Sequence, residues 1–79
     1  MNKTKKIFNV ESFAFEVNNK MFGMMGDQQR KIGLREFAKI IGVSAATLSR
    51  VTNEKHPDVE TFLRLCAWLK SDPKKFIIK

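Results

Sequence analysis

The stretch LREFAKIIGVSAATLSRV, residues 34–51, leaves this chain the fewest choices. From Leu34 to Ile41, helical spacing sets Phe37, Ala38 and Ile41 on one side and Arg35, Glu36 and Lys39 on the other. Gly42 then stands where a helix ends on a residue with positive φ. Past Val43, Ser44 is a natural N-cap, and Ala45 through Asn53 continue as a second helix. Ala38 is small at the point where the two helices cross, where a larger side chain would hold them apart. Phe37, Ile41, Val43, Leu48 and Val51 are spaced to seat both helices on one shared core. Several constraints at fixed offsets thus predict two short helices meeting round a tight corner.

Further helices are expected on either side. Upstream, Phe13, Val17, Met21 and Met24 recur on one helical face, although Phe13-Ala14-Phe15-Glu16-Val17 also alternates as a strand would. The apolar series continues past that stretch, which favours a helix from about Phe13 to Met25, ending between Gly26 and Lys31. Downstream, Pro57-Asp58 opens a helix whose inner face is expected to carry Val59, Phe62, Leu63, Cys66 and Leu69. Asp72-Pro73 repeats the punctuation of cap followed by Pro at the first helical position. Phe76 and Ile77 should then lock that last turn onto the core. The expected fold is all-α, a compact domain of four to five helices, with no repeat and no strand.

With 79 residues there is room for one core and none for a cofactor crevice between domains. Residues 1–10, with Lys3, Lys5 and Lys6, read as a basic N-terminal arm or a solubilising terminus, and 11–79 as a single domain. Fifteen Lys and Arg against eight Asp and Glu give a net charge of +7 and direct attention to a polyanionic partner, nucleic acid ahead of a membrane surface. One Cys and one His leave no internal disulfide and make a metal site improbable, so no metal or cofactor is expected. No segment approaches the roughly 20 apolar residues that span a bilayer. The opening MNKTKKIFNV carries no apolar run typical of a secretory signal, so the expected location is the cytoplasm, with Cys66 reduced.

Two helices joined in this way form a helix-turn-helix. On the second of them Leu48 and Val51 point inward, which turns Ala46, Ser49, Arg50 and Asn53 outward, flanked by Ala45 and Thr47. This face is slim at its start, polar further on and free of acidic residues, as insertion into a major groove requires. Ala45 and Ala46 suit thymine methyls, Ser49 a base edge, Arg50 the two acceptors of guanine, and Asn53 adenine or a phosphate. Ser44, Thr47, Arg35, Lys39 and Lys55 are the candidate phosphate contacts. An ordinary solvated helix face would read similarly, but less so within this corner and at this charge.

Residues 33–70 resemble the Cro/repressor-type (XRE, lambda-repressor-like) helix-turn-helix family. The likeness is carried by Ala38, Gly42-Val43-Ser44, Thr47-Leu48-Ser49-Arg50, Pro57-Asp58 and the fourth-helix stretch ETFLRLCAWL. It implies a five-helix domain that binds operator DNA as a homodimer and regulates transcription, as a repressor of phage, plasmid or prokaryotic origin. Three positions depart from the pattern. Leu34 stands where many members carry a hydrogen-bonding Gln or Thr, and Glu54 where a Gly often ends the recognition helix. Phe15, Phe22 and Met24-Met25 make the first helix more apolar than is usual in the family.

The candidate dimer interface is Leu65, Trp68 and Phe76, with Phe15 and Phe22 as a second choice. Leu65 and Trp68 fall roughly opposite the expected inner face of the fourth helix, although the C-terminal turn could equally cover them. His56 could touch a phosphate but reads rather as a solvent-exposed loop residue, and Cys66 as a small core residue. GMMG, residues 23–26, lacks the strands that an RNA-clamping GXXG loop needs. No phosphate loop follows a strand and no His is paired with a nucleophile, so an enzyme is not expected. The alternative function is a protein-interaction module, an antitoxin or adaptor that grips a second protein through an apolar helix stripe.

Overall fold

The computed structural model describes residues 8–77. Over these residues the chain forms α1 (Val10–Gln28), α2 (Leu34–Ile41), α3 (Ala45–Thr52), α4 (Val59–Leu69) and a closing 3-10 turn (Pro73–Phe76). The expected all-α architecture is the one observed. Lys3, Lys5 and Lys6 of the expected basic arm lie outside the described residues.

Local chemistry sets most of these boundaries. The side chains of Asn9, Ser44, Asp58 and Asp72 each accept a backbone N–H at the start of their helix or turn. At the other ends, Gln29 and Lys70 turn left-handed after α1 and α4, as Gly42 does after α2. α3 stops instead on Asn53, with Glu54 held at φ 63° just beyond it. That settles how the helix closes without the glycine often found there.

α1 starts three residues before Phe13, because Asn9 caps it and Val10 is buried as its first apolar residue. The expected arm at 1–10 therefore runs too far: Phe8 packs edge-on against Phe62 and His56, and Asn9 donates its N–H to the Phe76 carbonyl. Phe8 and Ile77 face each other in a single antiparallel bridge, so the segment before α1 is tied to the one after the closing turn.

The core runs through Phe13, Val17, Ile32, Phe37, Ala38, Leu48, Val51, Leu65, Cys66 and Phe76, and no polar or charged side chain is buried among the described residues. Its densest part is aromatic. Phe13 stands 5.1 Å from both Phe62 and Phe76, in tilted and edge-on pairs. Polar ties bind the rim. Asn18 of α1 donates to the Ala14 carbonyl and, at 3.5 Å, to the Thr52 carbonyl at the end of α3. Lys20 donates to the Trp68 carbonyl near the end of α4 and lies over its ring, while Lys75 pairs with Glu16 at 2.6 Å.

α4 is turned differently from the expected orientation. Leu65 and Cys66 are buried, with Phe62, Trp68 and Leu69 half-buried beside them, whereas Val59 and Leu63 face solvent. Leu65 and Phe76 are fully buried within the single chain and offer no surface to a second one. Their assignment to a dimer interface is thereby corrected. Trp68 is half-buried under Lys20, and Ile77 stays 47% exposed and is held by its backbone.

Candidate nucleic-acid interface

The corner between α2 and α3 is built as its residues dictate. Gly42 takes φ 92°, which lets its own N–H and that of Val43 both reach the Ala38 carbonyl, at 2.8 and 3.0 Å. Ala38 is buried at the crossing, and Leu48 and Val51, both essentially inaccessible, hold α3 from beneath. The orientation of α3 is therefore set by packing on two sides.

What remains outside is the surface expected from the sequence. Ala46 and Arg50 are exposed, Ser49 is half-buried beside them, and Ala45 and Thr47 are half-buried on the flanks. α3 carries no acidic side chain, and Arg50 makes no ion pair among the described residues. Asp58 lines the same groove of about 270 Å³ as Arg50, Thr47, His56 and Thr61. Hydrogen bonds from Thr61 hold its carboxyl below the usual range and keep it at the head of α4.

On α2, Arg35 and Lys39 are exposed and unpaired among the described residues. Glu36, their acidic neighbour, is taken by Arg30 at 2.6 Å. The hydrogen bond from Arg30 lowers the Glu36 carboxyl, and the same contact raises the Arg30 guanidinium. Lys39 acts on the same carboxylate through charge, so Glu36 offsets part of the positive potential along α2 while Arg30 takes its hydrogen bonds.

Two expected contacts change character. The Ser44 hydroxyl donates to Thr47 Oγ1 at 2.8 Å while its oxygen accepts the Thr47 N–H at 3.1 Å, so it is committed to the cap. The proton left for a phosphate is that of Thr47. Asn53 donates its side-chain amide to the Ser49 carbonyl at 2.7 Å, which ties it back onto α3. Lys55 is exposed beyond the helix end, its N–H returned to the Arg50 carbonyl at 2.9 Å. His56, for which the sequence favoured a solvent-exposed loop over a phosphate contact, and Thr61, to which it gave no contact, join Arg50 in the groove, since only tertiary packing brings the head of α4 beside α3. Among the described residues no three His, Cys, Asp or Glu side chains gather as a metal site, and no helix is long and apolar enough to cross a membrane.

These features define a small helix-turn-helix domain in which α3 is packed through Leu48 and Val51 and carries an exposed Arg50 and no acidic side chain. A family model described as Helix-turn-helix matches residues 28–76, more than half of the chain, and the protein belongs to that family, of the Cro/XRE type. It is a DNA-binding helix-turn-helix regulator. No curated protein and no solved structure matches the chain.

Proposed function

We propose that the protein is a sequence-specific, double-stranded DNA-binding repressor of transcription that acts as a homodimer and inserts α3, with its flanks about 44–53, into the major groove. The observation that carries this reading is the outer face of α3, where Ala46, Ser49 and an unpaired Arg50 stand on a helix anchored by Leu48 and Val51. Arg50 offers two donors to guanine, and the slim Ala45–Ala46 end permits close approach to thymine methyls. Arg35, Lys39, Thr47 and Lys55 supply contacts to the phosphate backbone that do not depend on sequence. The chain carries out no chemistry of its own in this reading and works in the cytoplasm.

Phe15 and Phe22, each 68% exposed on α1, favour a second reading as a module that binds another protein. A bind-and-sequence selection on random duplex DNA, at near-physiological salt with excess non-specific competitor, separates the two. A defined two-fold-symmetric motif is expected, its half-site spacing reporting the dimer geometry. A flat selection from folded protein refutes specific recognition and leaves the protein-binding module.

A further inference from the structure

α4 keeps two large apolar side chains out of the core. Val59 is 74% exposed and Leu63 49%. Four residues apart, they stand one above the other on a single stripe of the helix, which the exposed Ala67 continues. The stripe turns away from the helix-turn-helix. Beyond one edge of the stripe, Thr61 lines the groove beside Arg50, and Arg64, on that edge itself, reaches back to Gly42, its Nη1 3.3 Å from where a Cβ would stand. A partner seated on Val59 and Leu63 therefore leaves the outer face of α3 open.

Glu60 and Arg64 line one edge of the same stripe. Their side chains are 82% and 49% exposed and touch only at 3.5 Å. When two copies of α4 lie antiparallel about a two-fold axis near Leu63, both charged edges fall on the same side. Glu60 of each copy then faces Arg64 of the other, so the stripe complements itself in charge.

Its size is as informative as its pattern. The 11 residues of α4 span about 16 Å, and a stripe about 10 Å wide along them covers far less than the ~800 Å² that a stable complex buries per partner. Such a contact is weak between free molecules. It becomes effective between two copies held on neighbouring half-sites, where the effective concentration is of millimolar order.

We propose that a second copy of this chain docks antiparallel on the Val59–Leu63 stripe of α4, too weakly to form a stable free dimer, so that the pair assembles on DNA. The assembly step rests on the DNA-binding reading above; the contact itself does not.

The first test needs no DNA. In an NMR dilution series from millimolar to micromolar protein, concentration-dependent amide shifts are expected at Val59, Leu63 and Ala67. Their absence there, their concentration on Phe15 and Phe22 instead, or a free dimer that survives at nanomolar concentration overturns the proposal. The second test compares duplexes with one and two selected half-sites. The wild-type protein should favour the double site by about tenfold or more beyond independent binding. Leu63→Ser should lose that advantage while its affinity for a single half-site stays within about twofold. Glu60→Arg and Arg64→Glu should each lose the advantage, and the double variant should regain it. An advantage that persists in Leu63→Ser, or that the double variant fails to regain, overturns the docking mode. If no duplex is bound specifically, assembly on DNA falls together with the DNA reading, and the dilution series still decides the contact.

Discussion

Replacing Gly42 isolates the corner on which the interface depends. Gly42 sits at φ 92° and ψ 32°, in the left-handed region where a Cβ crowds the following carbonyl at a cost of about 1–2 kcal/mol. A Cβ there would also stand 3.3 Å from Arg64 Nη1 and 3.6 Å from its Cδ. Those atoms belong to a long, exposed side chain that can swing aside, so backbone strain dominates. Gly42→Ala should therefore lower the unfolding free energy by about 1–2 kcal/mol. At this chain length that corresponds to a fall in Tm of roughly 5–15 °C. Asn tolerates the left-handed region better than Ala, so Gly42→Asn should lose less. Adding Arg64→Ala to Gly42→Ala should recover little. Urea unfolding followed by circular dichroism, with the denaturant slope unchanged, supplies the numbers. A loss below about 0.5 kcal/mol would refute backbone strain as the cause. Recovery of most of the loss by Arg64→Ala would place the cost in the side-chain contact instead.

Four further outcomes are expected. Arg50→Ala should cost about 1–3 kcal/mol in binding and relax preference at one base pair, measured by competition among single-substituted duplexes; unchanged discrimination everywhere removes its base-reading role. Lys39→Ala should weaken all sequences alike and reduce the slope of log affinity against log salt by about one. Asp58 has a lowered folded-state value, so its contribution to stability is complete above the unfolded value near 3.9 and is lost as pH falls through the folded one. Replacing it with Asn should flatten the acid limb of a stability–pH curve, and an unaltered limb would show that other carboxylates set it. Burial raises the Cys66 thiol, so it should resist thiol reagents at neutral pH until the chain opens; labelling as fast as in denaturant would contradict its packing.

The elements that were legible in the sequence are those closed by local chemistry. Gly42, Ser44, Asp58 and Asp72-Pro73 act within a few residues of themselves, and α2, α3 and α4 begin and end close to where these signals stand. α1 was legible only from Phe13, because the use of Asn9 and Val10 depends on Phe8 and Phe76, far apart in the chain. α4 shows a second kind of failure. Phe62, Cys66 and Leu69 belong to both the expected and the observed inner face, and periodicity cannot choose between Val59 and Leu63 on one flank and Leu65 and Trp68 on the other. The positions of α1 and the closing turn make that choice, and they rotate the helix by less than a quarter turn. At the interface, residue types and outward direction were readable, but side-chain commitments were not. Ser44 and Asn53 have hydrogen-bonding partners within their own helix that compete with any ligand.

α3 divides its labour: Leu48 and Val51 are buried in the core, while Ala46 and Arg50 are exposed and Ser49 is half-buried beside them. If the outer face reads bases as proposed, a lineage that carries this domain can drift in the DNA it prefers without first acquiring compensating changes beneath. On that reading, substitutions that retarget the domain and substitutions that stabilise it fall on different residues, and selection can act on the two separately. The opposite holds at Gly42 and Ala38, where one backbone corner serves both the fold and the aim of the helix. Descendants of this chain should vary freely on the outer face and hardly at all at the corner.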